Sequence, residues 1–279
     1  ATGYHYEESS MAAEGIPLES AKWNALSKEN VSLLDEWNSG LIEKQLLSYM
    51  FRVNYDYNNK YLLTVSGRWD GASQLAEGNK WAFFPSAALG WRLDQEEFLK
   101  DVTWLNQLKF RLGVGVTGNS AIDPYQTKGA IVSLYYPFGS ALAPGYAASE
   151  PLIKDGAVAM ANKDLSWEKT TQYNIGLDYS VLNGRISGVL DFYTSRTTDL
   201  LMAMTIPSLN GYTNTYANVG KTSNIGVDIT LNTVNVKTRD FEWSTSINAA
   251  WQKDKIDELA NGKEDDINNN WFIGQALGV

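Results

Sequence analysis

The chain has 279 residues, with 23 Lys and Arg against 32 Asp and Glu, a net charge of −9, one His and no Cys. That acidity argues against a nucleic-acid binder, which needs surplus cations to neutralise phosphate. The missing thiols exclude a disulfide scaffold and a Cys nucleophile, the single imidazole argues against a His-based metal site or a Ser-His-Asp triad, and neither catalysis nor a cofactor is expected.

In chain order, the opening ATGYHYEESS lacks the basic and apolar blocks of a secretory signal. No run of about 18 apolar residues offers a transmembrane helix. From about residue 45 the chain alternates. Leu47, Tyr49, Phe51, Val53, Tyr55 and Tyr57 fall on one face, and Ser48, Met50, Arg52, Asn54 and Asp56 on the other. Asn58-Asn59 then predicts a tight turn, because Asn tolerates positive φ. Tyr61, Leu63, Val65, Gly67 and Trp69 continue the apolar face opposite Thr64, Ser66, Arg68 and Asp70. Period 2 over such lengths is a strand, and the two segments form a hairpin.

Six further segments alternate in the same way: FFPSAALGWR, LKFRLGVGVT, TTQYNIGLDY, RISGVLDFY, NIGVDITLN and FEWSTSINAAWQ. Connections after the first, third, fifth and seventh strands are short, with a helical-looking stretch at 94–106 as the longest. Those after the second, fourth and sixth tend to be longer, and IVSLYYPFG in the fourth reads as a short extra strand. Long loops gathered at one end suit an up-and-down transmembrane β-barrel. Aromatic residues end the apolar faces, as membrane interfaces favour: Tyr55, Tyr57, Tyr61, Trp69, Trp91, Tyr179, Phe241 and Trp251. The opposite face carries Arg52, Arg68, Arg92, Lys109 and Arg111, too many cations for a dry core but acceptable in a filled or wet lumen. Periodicity alone also suits a soluble antiparallel sandwich. The aromatic ends and the loop asymmetry favour the barrel.

Those five cations are candidates to touch a substrate or a plug, or to pair with carboxylates of neighbouring strands. Tyr125, Tyr135, Tyr136, Phe138 and Tyr146, in the long fourth connection, are candidates for stacking on sugar rings, or for packing the loop. Glu96-Glu97 and Glu264-Asp265-Asp266, followed by Asn268 to Asn270, fit no calcium loop and read as solvated. GVGVTGN sits inside a strand and at its end, so its glycines relieve crowding on the polar face rather than cradle a phosphate.

The blocks YLLTVSGRWDGAS, WAFFPSAALGWRL, FLKDVTWLNQLKFRLGVGVTGN, LSWEKTTQYNIGLDYSVLNGRISGVLDFYTSRTTDLL, ANVGKTSNIGVDITLN and FEWSTSINAAW together resemble SusC/RagA-type TonB-dependent outer-membrane transporters. The resemblance covers residues 46–253. It implies an all-β fold: about eight strands of a larger, 22-stranded antiparallel barrel whose lumen holds a plug. Residues 1–43 would then be an extracellular loop tail, 44–253 barrel, and 254–279 the start of another loop. The chain reads as an internal fragment without plug or terminal strand. The implied setting is the outer membrane of a Gram-negative bacterium. The implied partners are outer-membrane lipid, a SusD-like lipoprotein lid, TonB acting through the missing plug, and an oligosaccharide or peptide substrate. Two other readings stay open: a small structural or passive-porin barrel, and a soluble sugar-binding β-domain.

Overall fold

The computed structural model describes residues 2–9, 40–128, 132–138, 141–147, 160–207, 209, 212, 214–260, 262–267 and 270–276, with backbone alone for 2–9, 40–42, 132–138 and 141–147. One antiparallel sheet of nine strands dominates. In spatial order it runs β1 (Thr2–Ser9), β2 (Gly40–Tyr57), β3 (Tyr61–Ala72), β4 (Trp81–Arg92), β5 (Leu105–Asn119), β8 (Glu168–Val181), β9 (Ile186–Thr198), β12 (Lys221–Lys237) and β13 (Glu242–Glu258). Two ribbons lie in the long connections: β6 (Val132–Phe138) with β7 (Ala141–Ala147), and β10 (Leu201–Thr205) with β11 (Asn214–Asn218). Every pairing in the sheet is antiparallel, and β1 and β13 form its two open edges among the described residues. Unpaired strand edges are not tolerated in lipid, so a membrane-spanning sheet of this kind needs further strands to close it.

The eight strands expected from the alternation are present, and their parity agrees with the register. Tyr57 faces Tyr61, which faces Trp91, which faces Phe110. Farther along the same face Leu63, Leu89, Leu112, Ile175, Phe192, Val227 and Trp251 form one unbroken cross-strand row. Such rows are how a sheet presents a single continuous apolar surface. The turn residues Asn58 and Asn59 both take φ 54°, as expected of Asn at that position. Leu182, Asn183 and Gly184 form the second short turn, all with positive φ.

Two differences stand out. Residues 1–43 read as loop, yet Thr2–Ser9 is a strand that pairs with 40–47, and β2 begins at Gly40. The strands also run past the bilayer-length segments that alternation marks. β12 and β13 have 17 residues each, whereas about 9–11 tilted residues cross a membrane. Charged pairs, Lys221–Glu258 at 2.6 Å and Lys237–Glu242 at 3.0 Å, tie the two wet ends of that hairpin. A barrel has no apolar interior, so the buried core sits at the long-connection end. It comprises Ala72, Leu75, Ala76, Phe84, Ile122, Leu165 and Trp167.

Candidate functional site: the polar face and the long-loop rim

Tyr49, Phe51, Val53, Tyr55 and Tyr57 are all exposed, as are Leu89, Ile175, Phe192 and Trp251 across the sheet. A soluble sandwich would bury this face against a second sheet, and no such layer exists among the described residues. Aromatic rings stack at both ends of the face. At the short-turn end Tyr57, Tyr61 and Trp91 follow one another at centroid distances of 6.5 and 6.4 Å. At the other end Tyr49 stacks on Trp81 at 6.1 Å, and Phe83 lies between Phe51 and Trp69. Tyr49 and Tyr57 are separated by eight residues on β2, about 27 Å along the strand. At a tilt near 40° the belts lie about 21 Å apart, close to the ~25 Å apolar band of an outer-membrane barrel.

The opposite face is polar and internally bonded. Ser66 and Ser86 share a hydrogen bond of 2.7 Å, and the Thr64 hydroxyl donates to Asn54 at 2.9 Å. Four of the five predicted cations are paired within the sheet or its adjoining turn. Arg68 Nε meets Asp70 at 2.6 Å, and Arg92 meets Asp94 at 2.9 Å. Lys109 lies 3.9 Å from Asp178. Arg111 donates through Nε to Asp178 at 2.9 Å and through Nη2 to both oxygens of Asp191 at 3.0 Å. Asp191 is two strands from Arg111, with Gly176 between them in the register. A Cβ on Gly176 would come within 2.6 Å of the guanidinium carbon, so a side chain there would push the guanidinium or the carboxylate aside. Arg52, opposite Ser66, has no ion pair among the described residues.

At the rim, Phe84 turns to the polar side and packs edge-on against Trp167 at 5.3 Å. Phe84 and Trp167 are 6% and 4% exposed. Gly118 makes room, since a Cβ there would fall within 2.0 Å of the Phe84 ring. The glycines of GVGVTGN therefore differ: Gly118 is required by Phe84, whereas Gly113 and Gly115 have space around them. Trp167 Nε1 donates to the Lys80 carbonyl at 2.8 Å, tying the connection before β8 to the one before β4.

Beside this core opens a cavity of about 770 Å³. Gln45, Ser73, Gln74, Lys80, Tyr125 and Lys128 line it. Tyr125 holds φ 73°, an uncommon conformation for a bulky side chain. Its hydroxyl accepts from the Glu43 amide at 3.2 Å, and its carbonyl accepts from Lys128 N–H at 2.8 Å. Strain of this kind clusters at ligand sites. Of the five loop aromatics, Tyr125 is thus placed on a cavity wall. Tyr135, Tyr136 and Phe138 lie on β6 and Tyr146 on β7, and their side chains are outside the described residues.

The acidic groups also resolve. Glu96 is not simply solvated: it accepts from Tyr61 at 2.9 Å, Trp91 Nε1 at 3.0 Å and Lys60 at 3.3 Å. The Trp91 hydrogen bond is the largest of the effects that hold its pKa below the usual carboxylate value. The Asp94 side chain is 5% exposed. Burial raises its pKa, but donors from Gln95, Arg92 and the Leu108 amide outweigh that and leave it lowered. Asp265 accepts from the Ile273 amide at 2.7 Å, while Asn268 and Asn269 lie outside the described residues. The sequence pattern does not single out Phe84, and it reads Glu96 as solvated rather than as a site-building residue. Phe84 left one signal, an aromatic at a polar-face position of its strand.

Residues 20–276 match the family model described as TonB dependent receptor-like, beta-barrel. The chain is 38% identical over 255 residues to a TonB-dependent receptor SusC of Bacteroides thetaiotaomicron, covering 88% of this chain and 24% of that protein. It is 33% identical over 279 residues to TonB-dependent receptor P3 of Formosa agariphila, covering 99% of this chain and 26% of that protein. The RagAB peptide importer in its open-open state superposes with a TM-score of 0.75 at 27% identity, over 98% of this chain and 30% of the other. The chain thus spans about a quarter of the curated relatives it matches.

Proposed function

Because the chain belongs to the TonB dependent receptor-like β-barrel family, we propose that it forms part of the wall of an energy-coupled importer of oligosaccharides or peptides. Its barrel segment is of SusC/RagA type and its place is the outer membrane. In the proposed cycle a SusD-like lipoprotein presents substrate at the long-loop rim, and TonB acts from the periplasm on a plug held in the lumen. Tyr125 offers a ring face to a sugar or side chain, with Gln45, Lys80 and Lys128 supplying donors around it.

The polar face supports the plugged reading. Arg68, Arg92, Lys109 and Arg111 are already neutralised by carboxylates of this chain. Arg52 is left as the candidate to meet a carboxylate of the plug. The observation that carries the proposal is the nine-stranded sheet with one exposed apolar belt and one bonded polar face.

The test is uptake by cells carrying the full-length protein, using fluorescent oligosaccharide and oligopeptide panels. Uptake of one panel that stops when TonB is deleted supports the proposal. Uptake that persists without TonB assigns the barrel to passive permeation instead.

A further inference from the structure

The proposed transport cycle leaves one feature of the short-turn end without a role. The connection between β4 and β5 is long for its side of the sheet and carries two short 3-10 segments, Leu93–Gln95 and Glu97–Leu99. It presents Phe98 at 69% exposure and Trp104 at 58%. The neighbouring turn presents Leu182 at 49%. The two turns are fastened together. The Leu182 amide donates to the Trp104 carbonyl at 2.7 Å, and the Gly184 amide donates to Asn106 Oδ1 at 3.1 Å.

The connection is also fixed to the lipid-facing belt. Glu96 takes hydrogen bonds from Tyr61 and Trp91, the belt rings at this end. Its charges are mostly cancelled on the spot: Asp94 pairs with Arg92, Glu96 with Lys60, and Glu97 with Lys100. Local neutrality lowers the cost of entering a headgroup layer. Aromatic and aliphatic tips next to an apolar belt are the make-up of an interfacial anchor.

We infer that Phe98, Trp104 and Leu182 form a wedge that inserts among the phospholipid headgroups of the periplasmic leaflet. The occupant is phospholipid, because the wedge continues the belt that already faces lipid. This inference rests on the outer-membrane barrel reading. It goes further by assigning an anchoring role to a turn that would otherwise project into water.

The experiment places single cysteine labels in the full-length protein, reconstituted in phosphatidylcholine nanodiscs. These 279 residues contain no Cys, and any cysteine elsewhere in the protein is replaced. A bimane label at Phe98→Cys, and separately at Trp104→Cys, is quenched with iodide from the water and with brominated lipids from the bilayer. The Lys128→Cys label at the rim is the water reference, and Val53→Cys in mid-strand is the bilayer reference. The expected result is at least threefold weaker iodide quenching at residue 98 or 104 than at residue 128. Quenching by lipid brominated near the headgroup should be at least twofold stronger than by lipid brominated near the chain ends. Iodide quenching at both positions equal to that at residue 128, with no lipid quenching, overturns the wedge. Loss of lipid quenching at Val53→Cys would instead overturn the barrel reading itself.

Discussion

Arg111 reaches Asp191 over the bare backbone of Gly176, at 3.0 Å to both carboxylate oxygens. The same guanidinium holds Asp178 on the intervening strand, so one side chain fastens three strands on the polar face. All three groups are part-exposed, so each pair contributes modestly. Substituting Arg111→Met and Asp191→Asn singly and together should give a coupling energy of about 0.5–1 kcal/mol in a double-mutant cycle. Urea unfolding in detergent micelles measures it. Gly176→Ala should approach the effect of Arg111→Met, because its Cβ would sit 2.5 Å from Asp191 Oδ1. Additive single effects would show that the bridge is geometric only.

Glu96 gives the short-turn end a pH dependence. Its folded pKa is depressed, so its contribution is present above the unfolded carboxylate value and is lost as pH falls through the folded value. Asp94 acts in the same direction. Thermal stability should therefore drop as pH falls below about 4. Glu96→Gln, which keeps an acceptor for Tyr61 and Trp91 but does not titrate, should flatten that drop. Melting temperatures between pH 3 and 7 decide it.

Phe84 and Gly118 should behave as lock and socket. Phe84→Ala removes a ring that is 6% exposed and should cost about 3–5 kcal/mol locally. The loss should be confined to the rim, so the membrane strands remain folded while the long connections become open to trypsin. Gly118→Ala should do the same by crowding, at about 1–3 kcal/mol. The proteolysis pattern of intact cells distinguishes rim loosening from global unfolding.

Tyr125 is the loop aromatic placed on a cavity wall. Tyr125→Ala should weaken substrate binding about 2–13-fold, on the order of one stacked ring contact. Tyr125→Phe should keep most of the affinity. Equal affinity in wild type and Tyr125→Ala, measured by calorimetry with the imported panel, would remove Tyr125 from the site.

Much of this architecture is legible along the chain because parity is local. Tyr57, Tyr61 and Trp91 could be assigned to one face from their spacing, and the register joins them. The cations were legible as a polar face, but their partners were not. Arg111 and Asp191 are 80 positions apart, and only the sheet order brings them together. The rim escaped for the same reason: Trp167 meets the Lys80 carbonyl across 87 positions. The Thr2–Ser9 strand escaped because its ladder partner lies beyond a long intervening segment. Glu96 escaped because an acidic pair in a turn looks solvated until the rings that bond it are placed.

For the proposed importer, the length of β2 sets where a cargo molecule would first be held. Nine residues, 40–48, rise beyond the Tyr49 belt on the long-connection side. At about 3.4 Å each and a tilt near 40°, that collar stands about 23 Å clear of the apolar band. Glu43 and Gln45, on the cavity wall, ride partway up it. In the proposed importer, capture at that cavity would therefore take place in open water, well outside the headgroups and far from the bonded face around Arg111. The rim cavity and the wall of the proposed pore would then stand at different heights, so affinity at the rim could be retuned without disturbing the wall along which a cargo passes.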